Sequence, residues 1–115
     1  MGAVFLCRID GLIEGQALGF DPLEQGRDSV FALRHQGRVR VYLNSCPHLQ
    51  VPLQYRKDRY LSANGERIIC YAHGAQFLPD TGECVHGPCL GQALQSLEFS
   101  QEAGWLVLPI EQLMQ

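Results

Sequence analysis

The sequence predicts an all-β protein built from small antiparallel sheets. The chain has 115 residues with 12 glycines and 6 prolines, a composition rich in turns. Several short runs alternate apolar and polar residues with the period of two that strands require, and no stretch has the pattern of an amphipathic helix of useful length. A chain of this length can bury one core, so we expect a single domain over residues 1–115.

The first half of the chain predicts an edge strand, a short strand and a hairpin. The alternation over residues 4–9 places Phe5, Cys7 and Ile9 on one face. We interpret Cys7 as a packing residue, because a free cysteine on an apolar strand face behaves as a small hydrophobic side chain. The expected strands cover residues 4–9, 18–20, 29–34 and 39–44, and the last two are joined by a turn at 35–38 that leaves His35 exposed.

The second half predicts three further strand pairs and a final helical turn. Asn64-Gly65 and the Pro79–Gly82 stretch are turn sequences. We expect Trp105, the only tryptophan, to anchor the core. The expected strand pairs are 59–62 with 67–70, 76–78 with 83–85, and 93–99 with 105–108, and residues 110–115 form the helical turn.

Charge and cysteine content exclude several classes of protein. The formal net charge is −3 and the isoelectric point is near 5.7, which gives no indication of a nucleic acid or an anionic membrane as partner, since both call for clustered positive charge. The first residues do not resemble a secretion signal, and no window is apolar enough to span a membrane. Five cysteines are an odd number, which favours metal ligation and buried thiols over a disulfide framework. We therefore expect a cytoplasmic protein.

Two short segments each combine one cysteine with one histidine. Cys46 and His48 are separated by one residue, and Cys70 and His73 by two. Each pair fits within one tight loop, so two loops can offer two thiolates and two imidazoles to a single centre. A structural zinc ion accepts the same donors, although zinc fingers usually pair cysteine with cysteine and histidine with histidine. An iron–sulfur cluster is the other option.

The wider pattern resembles the Rieske family of [2Fe–2S] proteins. It consists of CPHL at 46–49, CYAHGAQF at 70–77, DTG at 80–82 and GP at 87–88. The resemblance implies a Rieske-like fold, with a cluster-binding subdomain at about 45–90 inserted in a base sheet formed by 1–44 and 91–110. It also implies one [2Fe–2S] cluster, with Cys46 and Cys70 holding the inner iron and His48 and His73 holding the outer iron near the solvent.

Departures from the high-potential members of this family predict a low reduction potential. Val51 and Ala72 occupy the neighbourhoods where those members place a disulfide, so that bridge cannot form. Ala75 and Phe77 replace a serine and a tyrosine whose hydroxyls donate hydrogen bonds towards cluster sulfur. We expect a potential near the lower end of the Rieske range, at about −150 mV.

Two further features have a functional and a structural interpretation. The spacer between the motifs contains Arg56, Lys57 and Arg59, which form either a docking patch for an acidic redox partner or a solvated surface, and the second is more common. Cys84, Cys89 and His86 flank the Gly-Pro pair. Because four ligands are already present, we interpret these three as structural neighbours.

The resemblance implies a small electron-transfer ferredoxin that passes single electrons from a flavoprotein or ferredoxin reductase to a terminal oxidoreductase, such as a ring-hydroxylating oxygenase. No nucleotide-binding motif or mononuclear iron triad suggests an enzyme. One alternative is a Rieske subunit of a larger enzyme, such as nitrite reductase. Another is a structural metal or redox-sensing module that binds a partner without passing electrons.

Overall fold

The computed structural model describes residues 2–113, and this part of the chain is all-β, as the sequence predicts. The strands are β1 (Ala3–Arg8), β2 (Ala17–Phe20), β3 (Val30–His35), β4 (Arg38–Leu43), β5 (Ile68–Ile69), β6 (Gln76–Phe77), β7 (Cys84–His86), β8 (Ser100–Glu102) and β9 (Trp105–Pro109). They form three small antiparallel sheets, ordered β1-β9-β8, β2-β3-β4 and β5-β6-β7. Short 3₁₀ helices occur at Ile9–Gly11 and Ile110–Leu113. No helix within residues 2–113 has the length and apolarity needed to cross a membrane.

A β-bulge in β1 changes which side chains face the core. The pairing of β1 with β9 shifts register between Phe5 and Cys7. Because a bulge inserts one extra residue, Leu6 and Cys7 both pack against the core, while Phe5 is 54% exposed. The packing role of Cys7 is confirmed, and the prediction that Phe5 shares its face is wrong.

The hairpin β3-β4 has a tighter turn than the sequence suggests. Strand pairing continues to His35 and Arg38, which leaves only Gln36 and Gly37 in the turn. Both turn residues have positive φ angles, 52° and 76°, as a two-residue hairpin turn requires. His35 therefore belongs to the strand, where its Nδ1 lies 3.0 Å from Oδ1 of Asp80. The prediction that His35 is exposed is wrong.

The sheet β5-β6-β7 is smaller than predicted. The expected strand at 59–62 contributes only an isolated bridge between Leu61 and Ile68. In the Asn-Gly turn, Gly65 alone adopts a positive φ of 74°. The turn at 79–82 is present between β6 and β7, and it closes on Gly82, whose φ is 76°.

The predicted strand at 93–99 is wrong. This segment runs beside β4 through hydrogen bonds that include Leu97 N–H to the carbonyl of Val41 at 2.9 Å, but it forms only isolated bridges. Its buried residues, Leu94 and Leu97, are three apart and enter two different cores. The other residues of this segment are exposed or half-buried, so it does not continue the pairing with β4 as a strand.

Trp105 lies at the surface and does not anchor the core. It is 36% exposed and packs edge-to-face against Phe5, with ring centroids 6.1 Å apart. The helical turn predicted for 110–115 appears as the 3₁₀ helix Ile110–Leu113, and residues 114–115 lie outside the described range.

The sheet β2-β3-β4 is buried on both faces and separates two hydrophobic cores. In β3, Val30 and Ala32 face one core, while Phe31 and Leu33 face the other. The first core is completed by residues of β1 and β9, including Leu106 and Leu108. The second core contains four of the five cysteines, namely Cys46, Cys70, Cys84 and Cys89.

Candidate metal centre

The two Cys-His segments form loops with the same backbone geometry. We call residues 46–51 the first cysteine loop and residues 70–75 the second. In each loop the N–H of the first residue donates to the carbonyl of the sixth, and the N–H of the fifth donates to the carbonyl of the first. These bonds join Cys46 N to Val51 O (2.8 Å), Gln50 N to Cys46 O (2.6 Å), Cys70 N to Ala75 O (2.9 Å) and Gly74 N to Cys70 O (2.7 Å).

The fifth residue of each loop adopts a left-handed conformation, with φ of 58° at Gln50 and 75° at Gly74. This conformation lets the chain reverse direction within six residues. The N–H of Tyr71 in the second loop donates to the carbonyl of Leu53, two residues beyond the end of the first loop, at 3.0 Å. The fold thus presents two equivalent cysteine loops side by side.

A buried asparagine fixes the first cysteine loop, and the sequence analysis missed it. The side-chain N–H₂ of Asn44 donates to the carbonyl of Asp28 and to Oε1 of Gln54, both at 2.8 Å. Its carbonyl oxygen accepts the N–H of Leu53 at 2.9 Å. The only sequence signal is an asparagine directly after a strand, which is also the signature of an ordinary turn.

Replacing Asn44 by alanine is expected to lower the free energy of unfolding by about 2–3 kcal/mol, because a buried N–H and a buried carbonyl lose their partners. Replacing Asn64, which is exposed in a turn, should cost less than about 1 kcal/mol. Urea unfolding of both variants measures the difference. Equal midpoints would contradict the role assigned to Asn44.

Three of the four predicted donors converge. A sulfur atom from Cys46, one from Cys70 and a ring nitrogen of His73 all lie within 4.8 Å of one another. The sulfur of Cys70 is 3.6 Å from Nδ1 of His73. Both cysteines are fully buried, whereas His73 is half-buried.

The fourth donor lies at the surface beside this group. The ring of His48 is exposed and meets the ring of His73 edge-on, with centroids 5.0 Å apart and an interplanar angle of 88°. The donor set is therefore asymmetric. Its thiols point into the core, and its imidazoles lie at the edge of the protein.

The surroundings of Cys70 oppose a free thiolate and favour a bound metal. Burial raises the pKa of the Cys70 thiol, and the neighbouring Cys46 thiol raises it further. The neighbouring backbone N–H groups of His73 and Ala72 act in the opposite direction and lower the pKa. A cation bound to the sulfur would supply the positive charge that a buried thiolate needs.

The segment that follows β7 folds over the cysteine loops. We call residues 87–92 the cover loop. At Gly87 a Cβ atom would lie 2.8 Å from Cα of Ala75, so the cover loop touches the backbone of the second cysteine loop. Cys89 is fully buried, and its sulfur is 3.6 Å from the sulfur of Cys46. Burial, followed by the nearby Cys46, raises the pKa of the Cys89 thiol to about 12.

The other residues near the Gly-Pro pair lie apart from the donors. The thiol of Cys84 is directed at the carbonyl of His86, 3.3 Å away, and His86 itself is exposed. All five cysteines are free thiols.

Two buried thiols and two outer imidazoles are the donor set that a [2Fe–2S] cluster with mixed ligands requires. A model of the Rieske [2Fe-2S] domain matches residues 2–102. The chain belongs to the Rieske [2Fe–2S] family. The predicted family and its single Rieske cluster are thereby confirmed.

Relatives of this Rieske chain include components of oxygenase systems. It is 30% identical over 110 residues to the ferredoxin component of the alkene monooxygenase system of Xanthobacter autotrophicus. The aligned region covers 96% of this chain and 83% of that protein. It is 38% identical over 79 residues to the oxygenase component of the chloroacetanilide N-alkylformylase of Rhizorhabdus wittichii, covering 69% of this chain but 19% of that protein.

The fold of this chain is also similar to that of a solved ferredoxin structure. The ferredoxin of carbazole 1,9a-dioxygenase from Nocardioides aromaticivorans superposes with a TM-score of 0.68 at 21% identity, covering 94% of this chain and 97% of that one. The Rieske-like fold class is thus confirmed.

Proposed function

We propose that this Rieske protein is an electron-transfer ferredoxin that passes single electrons from a reductase to a terminal oxygenase or reductase, without catalysing a reaction itself. The supporting observation is its alignment with an alkene monooxygenase ferredoxin component along 83% of that protein. The alignment with an oxygenase component covers only 19% of the larger protein, so it accounts for a Rieske domain and not for the oxygenase.

We assign the cluster ligands as Cys46 and Cys70 on one iron and His48 and His73 on the other. The cluster, when bound, takes up and gives up one electron at a time. The buried cysteines would hold it inside the core, and the outer imidazoles would bring one edge close to the surface for transfer to a partner. We further propose that residues 45–90 form the cluster-binding subdomain, with 1–44 and 91–110 as the base sheet.

The apolar surface of the motif region supports docking. Five large hydrophobic side chains between residues 49 and 90 are at least 39% exposed, and two of them, Tyr55 and Tyr71, pack against each other at the surface. Contiguous exposed apolar surface is typical of interaction sites. Leu49 follows His48 directly, and Leu90 follows Cys89. The five residues are Leu49, Tyr55, Tyr71, Val85 and Leu90.

The free thiols of the five cysteines favour a reducing, cytoplasmic location for the protein.

The basic spacer contributes fewer free charges than its sequence suggests. The Nζ of Lys57 lies 2.9 Å from Oδ2 of Asp28 and also donates to the carbonyl of Gly19. Arg56 is exposed, and its guanidinium lies 5.4 Å above the ring of Tyr55. Tyr55 in turn packs edge-on against Tyr71, which links Arg56 to the second cysteine loop.

Reversing the charge of Arg56 to glutamate is expected to slow reduction by the partner about three- to tenfold at low ionic strength, because complementary charge accelerates encounter. The difference should shrink in high salt. Stopped-flow reduction at several salt concentrations measures it.

The charge-matched control is Arg38→Glu. Arg38 is exposed at the start of β4, and Leu43 at the other end of that strand, three residues before Cys46, lies roughly 17 Å away at the usual rise per residue. Equal rates for the two variants would assign the spacer to solvated surface.

The function is tested on anaerobically purified protein reduced with dithionite. Two irons and two labile sulfides per chain, a rhombic EPR signal with a low average g value, and one-electron turnover with a reductase and an oxygenase are expected. A colourless zinc protein would overturn the proposal. A cluster that changes partner affinity but passes no electrons would identify a sensor instead.

A further inference from the structure

The sulfur of Cys89 lies beside a proposed cluster ligand. It is 3.6 Å from the sulfur of Cys46, within reach of an S–H···S hydrogen bond, and the side chain is fully buried. Cys84 is also buried, but its thiol points at a backbone carbonyl. The two extra cysteines of the motif region therefore have different surroundings.

The position of Cys89 is fixed by contacts on both sides of the cover loop. Gly87 lies directly on the backbone of Ala75 in the second cysteine loop. The carbonyl of Cys89 accepts the N–H of Gln92 at 2.8 Å, and the carbonyl of Gln92 accepts the N–H of Cys84 at 2.9 Å. The end of the cover loop is thus tied to β7, its first residue lies against the second cysteine loop, and Cys89 lies against Cys46 of the first.

The surrounding donors and acceptors determine the direction of the Cys89 hydrogen bond. At 3.6 Å either sulfur could donate to the other in the absence of iron. Cys46 as an iron ligand is a thiolate, which has no proton to donate. The remaining proton, on the Cys89 thiol, is therefore directed at the sulfur of Cys46.

We propose that Cys89 is a positioning and tuning residue whose thiol donates a hydrogen bond to the Cys46 ligand and raises the reduction potential of the cluster. Reduction adds negative charge to the cluster and its sulfurs, and a donor to a ligand sulfur stabilises that charge. Ala75 and Phe77 supply no hydroxyl for this purpose, so Cys89 provides the side-chain donor they lack. The inference rests on the ligand assignment proposed above.

The test is the midpoint potential of cluster-loaded Cys89 variants. Cys89→Ala is expected to lower the equilibrium constant for one-electron reduction about tenfold, which corresponds to 59 mV, with iron and sulfide content unchanged. Cys89→Ser keeps a proton donor and should recover most of the loss. Cys84→Ala, which removes the buried thiol that faces a carbonyl, should leave the potential at the wild-type value.

Other results of these measurements would overturn the tuning role of Cys89, or that role together with the ligand assignment. A loaded Cys89→Ala protein with the wild-type potential overturns the inference and leaves the ligand assignment intact. Equal shifts for the alanine and serine variants also overturn it, because packing would then be the cause. Loss of iron from Cys89→Ala together with full iron in Cys46→Ala would make Cys89 the ligand and refute both proposals.

If the alanine variant fails to fold, Cys89→Val decides the question by the same criterion, since it fills the space without offering a donor. Deuterium exchange adds an independent measurement on the wild-type protein. Pulsed EPR of the reduced cluster in D₂O should show one strongly coupled deuteron that is absent from the donor-free variant, and identical spectra would overturn the inference.

Discussion

Replacing Cys70 by alanine is expected to abolish cluster binding. Cys70 is fully buried, and its sulfur lies 3.6 Å from Nδ1 of His73, so the variant removes one of the three donors that converge. Loss of a residue that merely orients a metal ligand typically costs 10–100-fold in affinity, and loss of the ligand itself should cost at least that much. Iron, labile sulfide and visible absorption measure the result.

Cys84→Ala is the matched control for this experiment, because it also removes a buried thiol of the same core. It should retain the cluster. The same comparison applies to the imidazoles, where His73→Ala should lose the cluster and the exposed His86→Ala should keep it. Loss of iron from the Cys84 or His86 variants, with retention in the others, would refute the ligand assignment.

Replacing Gly87 by alanine is expected to release the cover loop and shorten the lifetime of the cluster. The φ of Gly87 is 98°, and an added Cβ would lie 2.8 Å from Cα of Ala75, where only backbone could yield. The unfavourable φ costs about 1–3 kcal/mol, and the clash adds to it. Since each 1.36 kcal/mol changes a rate tenfold, bleaching of the visible absorption in air should accelerate about tenfold or more.

Gly91→Ala separates the clash from the backbone strain. Gly91 belongs to the same cover loop and has a similar φ of 89°, but an added Cβ there would meet no atom within 4 Å. Thermal unfolding should show a cost of strain in both variants, whereas rapid bleaching should appear only in Gly87→Ala. Equal bleaching rates would show that the contact with Ala75 does not protect the cluster.

Local patterns were sufficient to predict most strands and the motif segments. The Cys-x-His and Cys-x-x-His segments are short, so the residues that form each loop are also neighbours in the sequence. The hairpin β3-β4 and the turn at 79–82 were found for the same reason. The apolar run that ends at Pro109 correctly placed β9, in which Leu106, Val107 and Leu108 are all buried.

The errors come from contacts between distant parts of the chain. The bulge that turns Phe5 outwards depends on the pairing of β1 with β9, about a hundred residues later. His35 is partly covered because Asp80, on a turn of another sheet, approaches its ring. The contact of Cys89 with Cys46, which agrees with its interpretation as a neighbour of the ligands, likewise depends on the cover loop folding back. No window along the chain contains any of these pairs.

The two-sided burial of the sheet β2-β3-β4 links the cluster to the whole fold. Neighbouring residues such as Val41 and Tyr42 face opposite cores. Unfolding of either core would therefore expose one face of the same strands to water. A ligand that binds only the folded state adds its binding free energy to the stability of every element that unfolds with it. Binding of iron and sulfide would then determine how readily the chain unfolds and is degraded. The unloaded chain would be open to proteolysis even at β1 and β9, and the mature protein would be protected throughout.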